Sequence, residues 1–290
     1  MELTKKFIRA KSPCADGFRW FLRNVEDGSG YQDTLDKLVS AGRVDDACWL
    51  LTQFGPTNEV LRVDSLDAAA IVFAGALEVR GGIDVDTVVQ AGRSIRAGGG
   101  VRAGCAIVAG EDIRVAGGIR GQGKLQAGGD IRADWGIDIQ ELIRCGGDVR
   151  AAWDLICHGK LTLTGNAFAG QDLIVHGGIE CGKSLSAGGA IAGADSIRVG
   201  QGIVAGGAVS SGMHLEAGWG IKSGESIHAK GSIKAGESLS AVDDIRAGAG
   251  YGVYAGLSVQ VESWDSSALV SAQRKPEGLM SGCWAGARIL

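Results

Sequence analysis

Ile131-Arg132-Ala133-Asp134-Trp135-Gly136-Ile137-Asp138-Ile139-Gln140-Glu141-Leu142-Ile143-Arg144-Cys145-Gly146-Gly147-Asp148 is three hexads laid end to end. Each hexad opens on an aliphatic residue (Ile131, Ile137, Ile143), and a second apolar residue follows two positions later (Ala133, Ile139, Cys145). In a β-strand, residues i and i+2 point to the same face. Every hexad therefore supplies two inward side chains and then a bend. A helix would need apolar spacings of three and four, which this stretch lacks. A strand of three residues cannot bury a face alone, so the hexads must stack into a coil that closes its own core.

The period extends outward in both directions. Stepping by six from Ile71 reaches Leu257 without an insertion, and only Ala167 and Tyr251 depart from Ile, Leu or Val on the way. A longer period fixes the coil. Asp112-Ile113-Arg114, Asp130-Ile131-Arg132 and Asp148-Val149-Arg150 recur every eighteen residues, as do the pairs Trp135/Trp153 and His158/His176. Three hexads per turn predict a mainly β chain, a parallel β-helix of triangular section. About ten coils at roughly 4.8 Å each give a rod about 50 Å long. The small inward residue comes two positions after the aliphatic one, whereas the left-handed hexapeptide acyltransferases place it two before. Over the repeat region the pattern resembles that of the bactofilins, which implies a right-handed helix.

The two ends are read differently. Ser12-Pro13 is a helix-start signal, with Phe18, Phe21, Leu22 and Val25 on one apolar face. A second helix near 31–41 carries Leu35, Leu38 and Val39 and stops at Gly42; a third near 43–54 turns Val44, Ala47, Cys48 and Leu51 inward and stops at Gly55-Pro56. The expected organisation is a helical capping domain over 1–62 and a β-helix over 63–290. The segment from about 258, which breaks phase and carries Trp264 and Trp284, is expected to cover the far end.

Composition narrows the function. The chain has 290 residues, 21% charged and 45% apolar, with 49 glycines and 3 prolines, which is enough to bury a core and make many tight turns. A net charge of −4 is neither the basic surplus of a nucleic-acid binder nor the strong acidity of a DNA mimic. With no basic stretch followed by an apolar run at the start and no long apolar span, a cytoplasmic protein without a membrane partner is expected. The seven cysteines are scattered, and Cys145, Cys157 and Cys181 fall on the small inward position, so reduced core thiols are expected. No loop interrupts the hexads, and loops are where solenoid enzymes build their sites. No nucleotide, nucleophile-elbow or zinc spacing is present, so no catalytic residue, cofactor, small-molecule substrate or metal is expected. His158 and His176 read as an outward polar ladder, since a metal would need further ligands. The Asp-Ile-Arg repeats read as a solvated ladder of alternating charge.

The middle coils break the polar pattern of the surface. Ile156 and Ile174 take the outward place after the core aliphatic on one face, and Phe168 takes it on the next, after Arg96, Arg114, Arg132 and Arg150. Trp135 and Trp153 stand at the bends. Aromatic anchors beside arginine are typical of protein interfaces, so Arg132, Trp135, Arg150, Trp153, Ile156, Phe168 and Ile174 form the candidate partner-binding set. The competing reading is a local cover by a terminal segment, or bends packing on one another. Acidic residues among the aromatics, Asp134, Asp138 and Asp154, would suit a basic partner.

The helical start reads Ala15-Asp16-Gly17-Phe18-Arg19-Trp20-Phe21-Leu22, Leu35-Asp36-Lys37-Leu38-Val39 and Gly42-Arg43-Val44-Asp45-Asp46-Ala47-Cys48-Trp49-Leu50-Leu51. Such a head on a bactofilin-like rod resembles bacterial immunity proteins of polymorphic or type VI secreted toxins, in particular the partner of a type VI DNase effector. That resemblance implies a non-catalytic cytoplasmic protein that binds a cognate toxin. The alternative is a bactofilin-like structural polymer, which would need bare coil ends where this chain is expected to have covered ones.

Overall fold

A computed structural model describes residues 2–287. The body is a parallel solenoid with three faces. The first face has thirteen strands, from Val60–Val63 to Cys283–Gly286; the second has eleven, from Leu66–Ala68 to Ile245–Arg246; the third has twelve, from Ile71–Phe73 to Leu279–Ser281. The rod is therefore roughly 60 Å long at the usual strand spacing, longer than the hexad count alone suggests. Consecutive coils pair in register eighteen residues apart, as in Ile113↔Ile131↔Val149 on the first face and Ile119↔Ile137↔Leu155 on the second.

The inward positions form one continuous core. Ile95, Ile107, Ile113, Leu125, Ile143 and Leu155 are fully buried, and so are small partners such as Ala151 and Ala169. The small site has a second use where it is Cys or Ser. Cys145 Sγ donates to Gly129 O (2.9 Å) on the coil below and to Asp148 O (3.3 Å) ahead of it. Ser223 Oγ does the same to Gly207 O (2.7 Å) and Ser226 O (3.1 Å). A buried thiol or hydroxyl there finds carbonyl acceptors at the corners, so Cys or Ser can stand where other coils have alanine. Burial pushes the Cys145 thiol up to about 11. Cys157 and Cys181, equally buried and bonded, are pushed up by the same cause. In the native protein at pH 8, a thiol reagent should modify exposed Cys14 and Cys105 first and reach the three core thiols only on unfolding. Equal rates for all would show an open core.

Inward and outward side chains carry different energetic weight. Ala133 is fully buried and Arg132 beside it is exposed. Ala133→Leu should cost about 1–3 kcal/mol by overpacking, whereas Arg132→Leu should stay within about 0.5 kcal/mol. Denaturation midpoints of the two variants measure the contrast.

Four helices precede the solenoid: α1 (Lys5–Ala10), α2 (Ala15–Asn24), α3 (Tyr31–Ser40) and α4 (Val44–Phe54). The first of them lies outside the sequence expectation. Ser12 does not cap α2; it sits at φ 53 just past α1, and Cys14 caps α2 by accepting the Gly17 N–H through Sγ at 3.2 Å. Leu22 faces solvent, while Phe21, Val25, Leu35, Leu38, Ala47 and Leu51 are buried with the unpredicted Tyr31 and Leu50. Arg43 ties α2 to α4 by bonding Asp16 (2.8 Å) and Asp46 (2.5 Å), and its guanidinium holds the Asp16 carboxyl below the usual carboxylate range. Because α4 ends at Phe54 and Val60–Val63 already pairs with Ala76–Val79, helix gives way to solenoid at 55–59, ahead of residue 62. The hexad count misses this first coil because it is short: Leu61 pairs with Leu77, sixteen residues on.

The far end also departs from the expected pattern. Val253, and not Tyr251, takes the inward place, pairing with Ile233 across twenty residues. A turn at Gly248–Tyr251 with Gly250 at φ 80 absorbs the two extra residues, and it leaves Tyr251 and Leu257 half exposed. The tail does not simply lie over the end. Leu269–Ser271 and Cys283–Gly286 add two strands to the first face, Leu279–Ser281 adds one to the third, and Trp284 packs on the core. Residues 288–290 of the expected second unit lie outside the described residues. Among the described residues no helix is long and apolar enough to cross a membrane.

Candidate protein-binding surface

The corner between the first and second faces carries residues 99, 117, 135, 153 and 171 one above another. Its occupants are Gly99, Gly117, Trp135, Trp153 and Gln171. A corner residue has no inward direction available, so a large side chain there projects into solvent. Trp135 is 65% exposed and Trp153 is 59% exposed. Among the described residues no terminal segment covers them and neither indole stacks on another aromatic ring.

The remaining candidates flank this edge. On the first face Arg96, Arg114, Arg132, Arg150 and Phe168 stand in one column, each paired in register with the next. The Arg150 guanidinium lies over the Phe168 ring, 4.6 Å from its centroid, and Phe168 is half-buried beneath it. On the second face Asp84, Arg102, Arg120, Asp138, Ile156 and Ile174 form the column, with both isoleucines half-buried. A shallow groove of about 770 Å³ runs along the second face and is walled by Trp135, with Arg102, Arg120, Asp138 and Ile156 among its lining. The seven residues thus wrap one corner: Arg132, Arg150 and Phe168 on one side, Ile156 and Ile174 on the other, and the two tryptophans along the edge.

The expected alternation of charge between coils holds in some columns, as where Arg102 meets Asp84 (2.7 Å) and Arg93 meets Glu111 (3.0 Å). In the Asp-Ile-Arg columns like residues stack on like, because an eighteen-residue coil brings Arg114 under Arg132, and there the acids are met within the coil. Arg114 bonds Asp112 (3.0 Å) and Arg132 bonds Asp134 (3.1 Å). The carboxylates at the other corner do a different job. Asp112 Oδ1 accepts the Asp130 N–H (2.9 Å), Asp130 Oδ1 accepts the Asp148 N–H (2.9 Å), and Asp148 Oδ1 accepts the Asn166 N–H (2.7 Å). Each carboxylate pins the coil above it. Sequence carried the signal, an acid every eighteen residues just before the aliphatic, but its meaning needed the backbone.

The same engagement weakens the expectation that Asp134, Asp138 and Asp154 await a basic partner. Asp134 pairs with Arg132, Asp138 lies 3.5 Å from His158 Nε2, and Asp154 Oδ1 accepts the Asp172 N–H at 3.1 Å. His158 and His176 stack as a ladder, Nδ1 to Nδ1 at 3.0 Å. Among the described residues no group of three or more His, Cys, Asp or Glu is placed to hold a metal ion. Other exposed apolar side chains lie outside the candidate set: Val204 higher in the Phe168 column, Trp219 at the corner between the third and first faces, and Phe7 and Leu22 on the helices.

Comparison with known proteins divides the chain where the structure does. No curated protein and no solved structure matches it significantly. Residues 1–54, the four helices, match the YdhT N-terminal domain. Residues 59–197, which span the Trp135–Trp153 corner, match the beta solenoid domain of Flagellar Assembly Protein A.

Proposed function

We propose that this protein is a non-catalytic binding rod that neutralises a cognate bacterial toxin, of the secreted nuclease kind, by protein–protein contact in the cytoplasm. The observation that carries the binding part of this reading is the pair Trp135 and Trp153. They are large, solvent-exposed and adjacent, on a solenoid whose equivalent corners are glycine in the coils below. Ile156, Ile174 and the Arg150–Phe168 stack extend them into a patch of the composition that interface cores favour. The toxin part rests on the resemblance of the helical head and rod to immunity proteins. The test is co-expression with any toxin encoded beside it. The wild-type chain should protect the cells and co-purify with the toxin as a stable complex, and absence of both would end the immunity reading.

A structural reading is the alternative, and one observation favours it: strand edges at the start of the solenoid are left without a partner strand. Electron microscopy of the intact protein separates the two readings, since a structural polymer would show filaments at concentrations where a binding rod shows discrete particles.

A further inference from the structure

The corner between the second and third faces carries His158 and His176 on neighbouring coils, eighteen residues apart. The ladder holds their backbones: the His158 N–H donates to Ile139 O and the His176 N–H to Cys157 O, each at 2.8 Å. The separation of the two side chains is therefore set by the coil spacing. Their Nδ1 atoms stand 3.0 Å apart, and their ring centres 4.6 Å apart with the planes at 79°. Two imidazoles joined end to end by a linear hydrogen bond of that length would set their centres about 5.3 Å apart. These rings bend toward a common point instead. An ion about 2.1 Å from each nitrogen, with its two bonds at roughly 90°, puts the nitrogens about 3.0 Å and the ring centres about 4.6 Å apart. A tetrahedral ion would need the nitrogens about 3.4 Å apart. Asp138 adds a second observation. Its Oδ1 lies 3.5 Å from His158 Nε2, a carboxylate behind an imidazole. It favours the proton on Nε2 and leaves the His158 Nδ1 lone pair toward His176. Gln140 Nε2 donates to the same Oδ1 at 3.4 Å and braces it.

We propose that His158 and His176 together bind one divalent transition-metal ion of octahedral or tetragonal preference, Cu²⁺ or Ni²⁺, through both Nδ1 atoms. The two imidazoles take adjacent positions on the ion. Among the described residues no third His, Cys, Asp or Glu completes a cluster with them, and His176 is exposed, so water fills the rest of the coordination shell. With no ion bound, one Nδ1–H lies between the two nitrogens. Binding moves that proton to the Nε2 of His176, so both rings stay neutral, as imidazole ligands must. The local charge favours a cation. Asp138 stands beside the pair, and Lys160, the nearest lysine along the chain, is turned onto Glu180 (2.8 Å). The ion would lie two residues beyond Ile156 and Ile174, across the second face from the Trp135–Trp153 corner. This inference goes beyond the toxin-binding reading and does not rest on it.

Calorimetric titration of the full chain with Ni²⁺ tests it, after the exposed Cys14 and Cys105 thiols are blocked with iodoacetamide. The wild type should take up a single ion per chain at this site. His158→Ala and His176→Ala should each remove that binding step, and Asp138→Ala should weaken it roughly tenfold. The pair lies on the surface, so all three variants should keep the wild-type melting curve in EDTA. Ni²⁺ should raise the melting temperature of the wild type and leave both histidine variants unmoved. Bound Cu²⁺ should show two equatorial nitrogens by electron paramagnetic resonance in the wild type and one in each histidine variant. His214 and His228 are unchanged throughout and supply the background. A wild type that binds Ni²⁺ no better than the histidine variants overturns the proposal. So does a Cu²⁺ spectrum whose nitrogen count is the same in the wild type and the variants.

Discussion

Ile131→Ala should destabilise the protein by about 2–5 kcal/mol, the cost of truncating a fully packed aliphatic and leaving a cavity. Ile131 is buried in a column between Ile113 and Val149, and its side chain belongs to a core only one side chain deep from each face. In a globular domain the surroundings could relax toward the gap from several directions. Here the backbones above and below are pinned at the strand spacing by their ladders and by the Asp112 and Asp130 carboxylates, so relaxation is restricted. Each coil also contacts only its neighbours, and a cavity in one coil weakens two interfaces. Chemical denaturation should show the midpoint falling. A loss as small as that of Arg132→Leu, one residue on, would mean that Ile131 does not face inward.

The same three residues show what made the fold legible. Ile131, Arg132 and Ala133 declare their directions through the two-residue alternation alone, and repetition confirmed it over ten coils. The method fails where a coil changes length. Two extra residues at Gly248–Tyr251 shift the inward place from Tyr251 to Val253, and the shortened first coil sets Leu61 sixteen residues from Leu77. Both are turn events, which stepping by six cannot register. The arginine column follows from the period itself: an eighteen-residue coil places Arg114 beneath Arg132, whereas a column such as Asp84 and Arg102 alternates because its residues differ from coil to coil. Whether Asp148 faces solvent or the Asn166 N–H could not be read from any spacing, because it depends on the corner backbone. The tryptophans were legible because a corner offers no inward direction whatever its exact geometry. No spacing shows the groove along the second face, which Trp135 walls at the corner and Ile156 helps to line.

Trp153→Ala with Phe168→Ala should abolish toxin protection while leaving the rod folded. Anchors of this kind commonly cost 2 kcal/mol or more each when truncated, which is roughly thirtyfold in affinity apiece. Trp153 stands at the corner and Phe168 follows Arg150 in the column of the adjacent first face, so the pair samples both the edge and that face. Phe168→Ala also removes the ring under Arg150, freeing a guanidinium whose position the stack now fixes. The two losses should therefore add to about a thousandfold if one partner covers both. Folding should suffer little from Trp153→Ala, since that indole is 59% exposed, and moderately from Phe168→Ala, since that ring is half-buried. The melting curve comes first, to separate a lost contact from a lost fold. Binding is then measured against the toxin in solution, and protection in cells that express it. Arg132→Ala serves as the neighbour control: its exposed ion pair with Asp134 should make a small difference, so a loss equal to that of the double variant would place the energetic centre on the arginine column and away from the aromatics. Full protection by a well-folded double variant would move the contact off this corner, with exposed Phe7 and Leu22 on the helical head as the next surface to truncate.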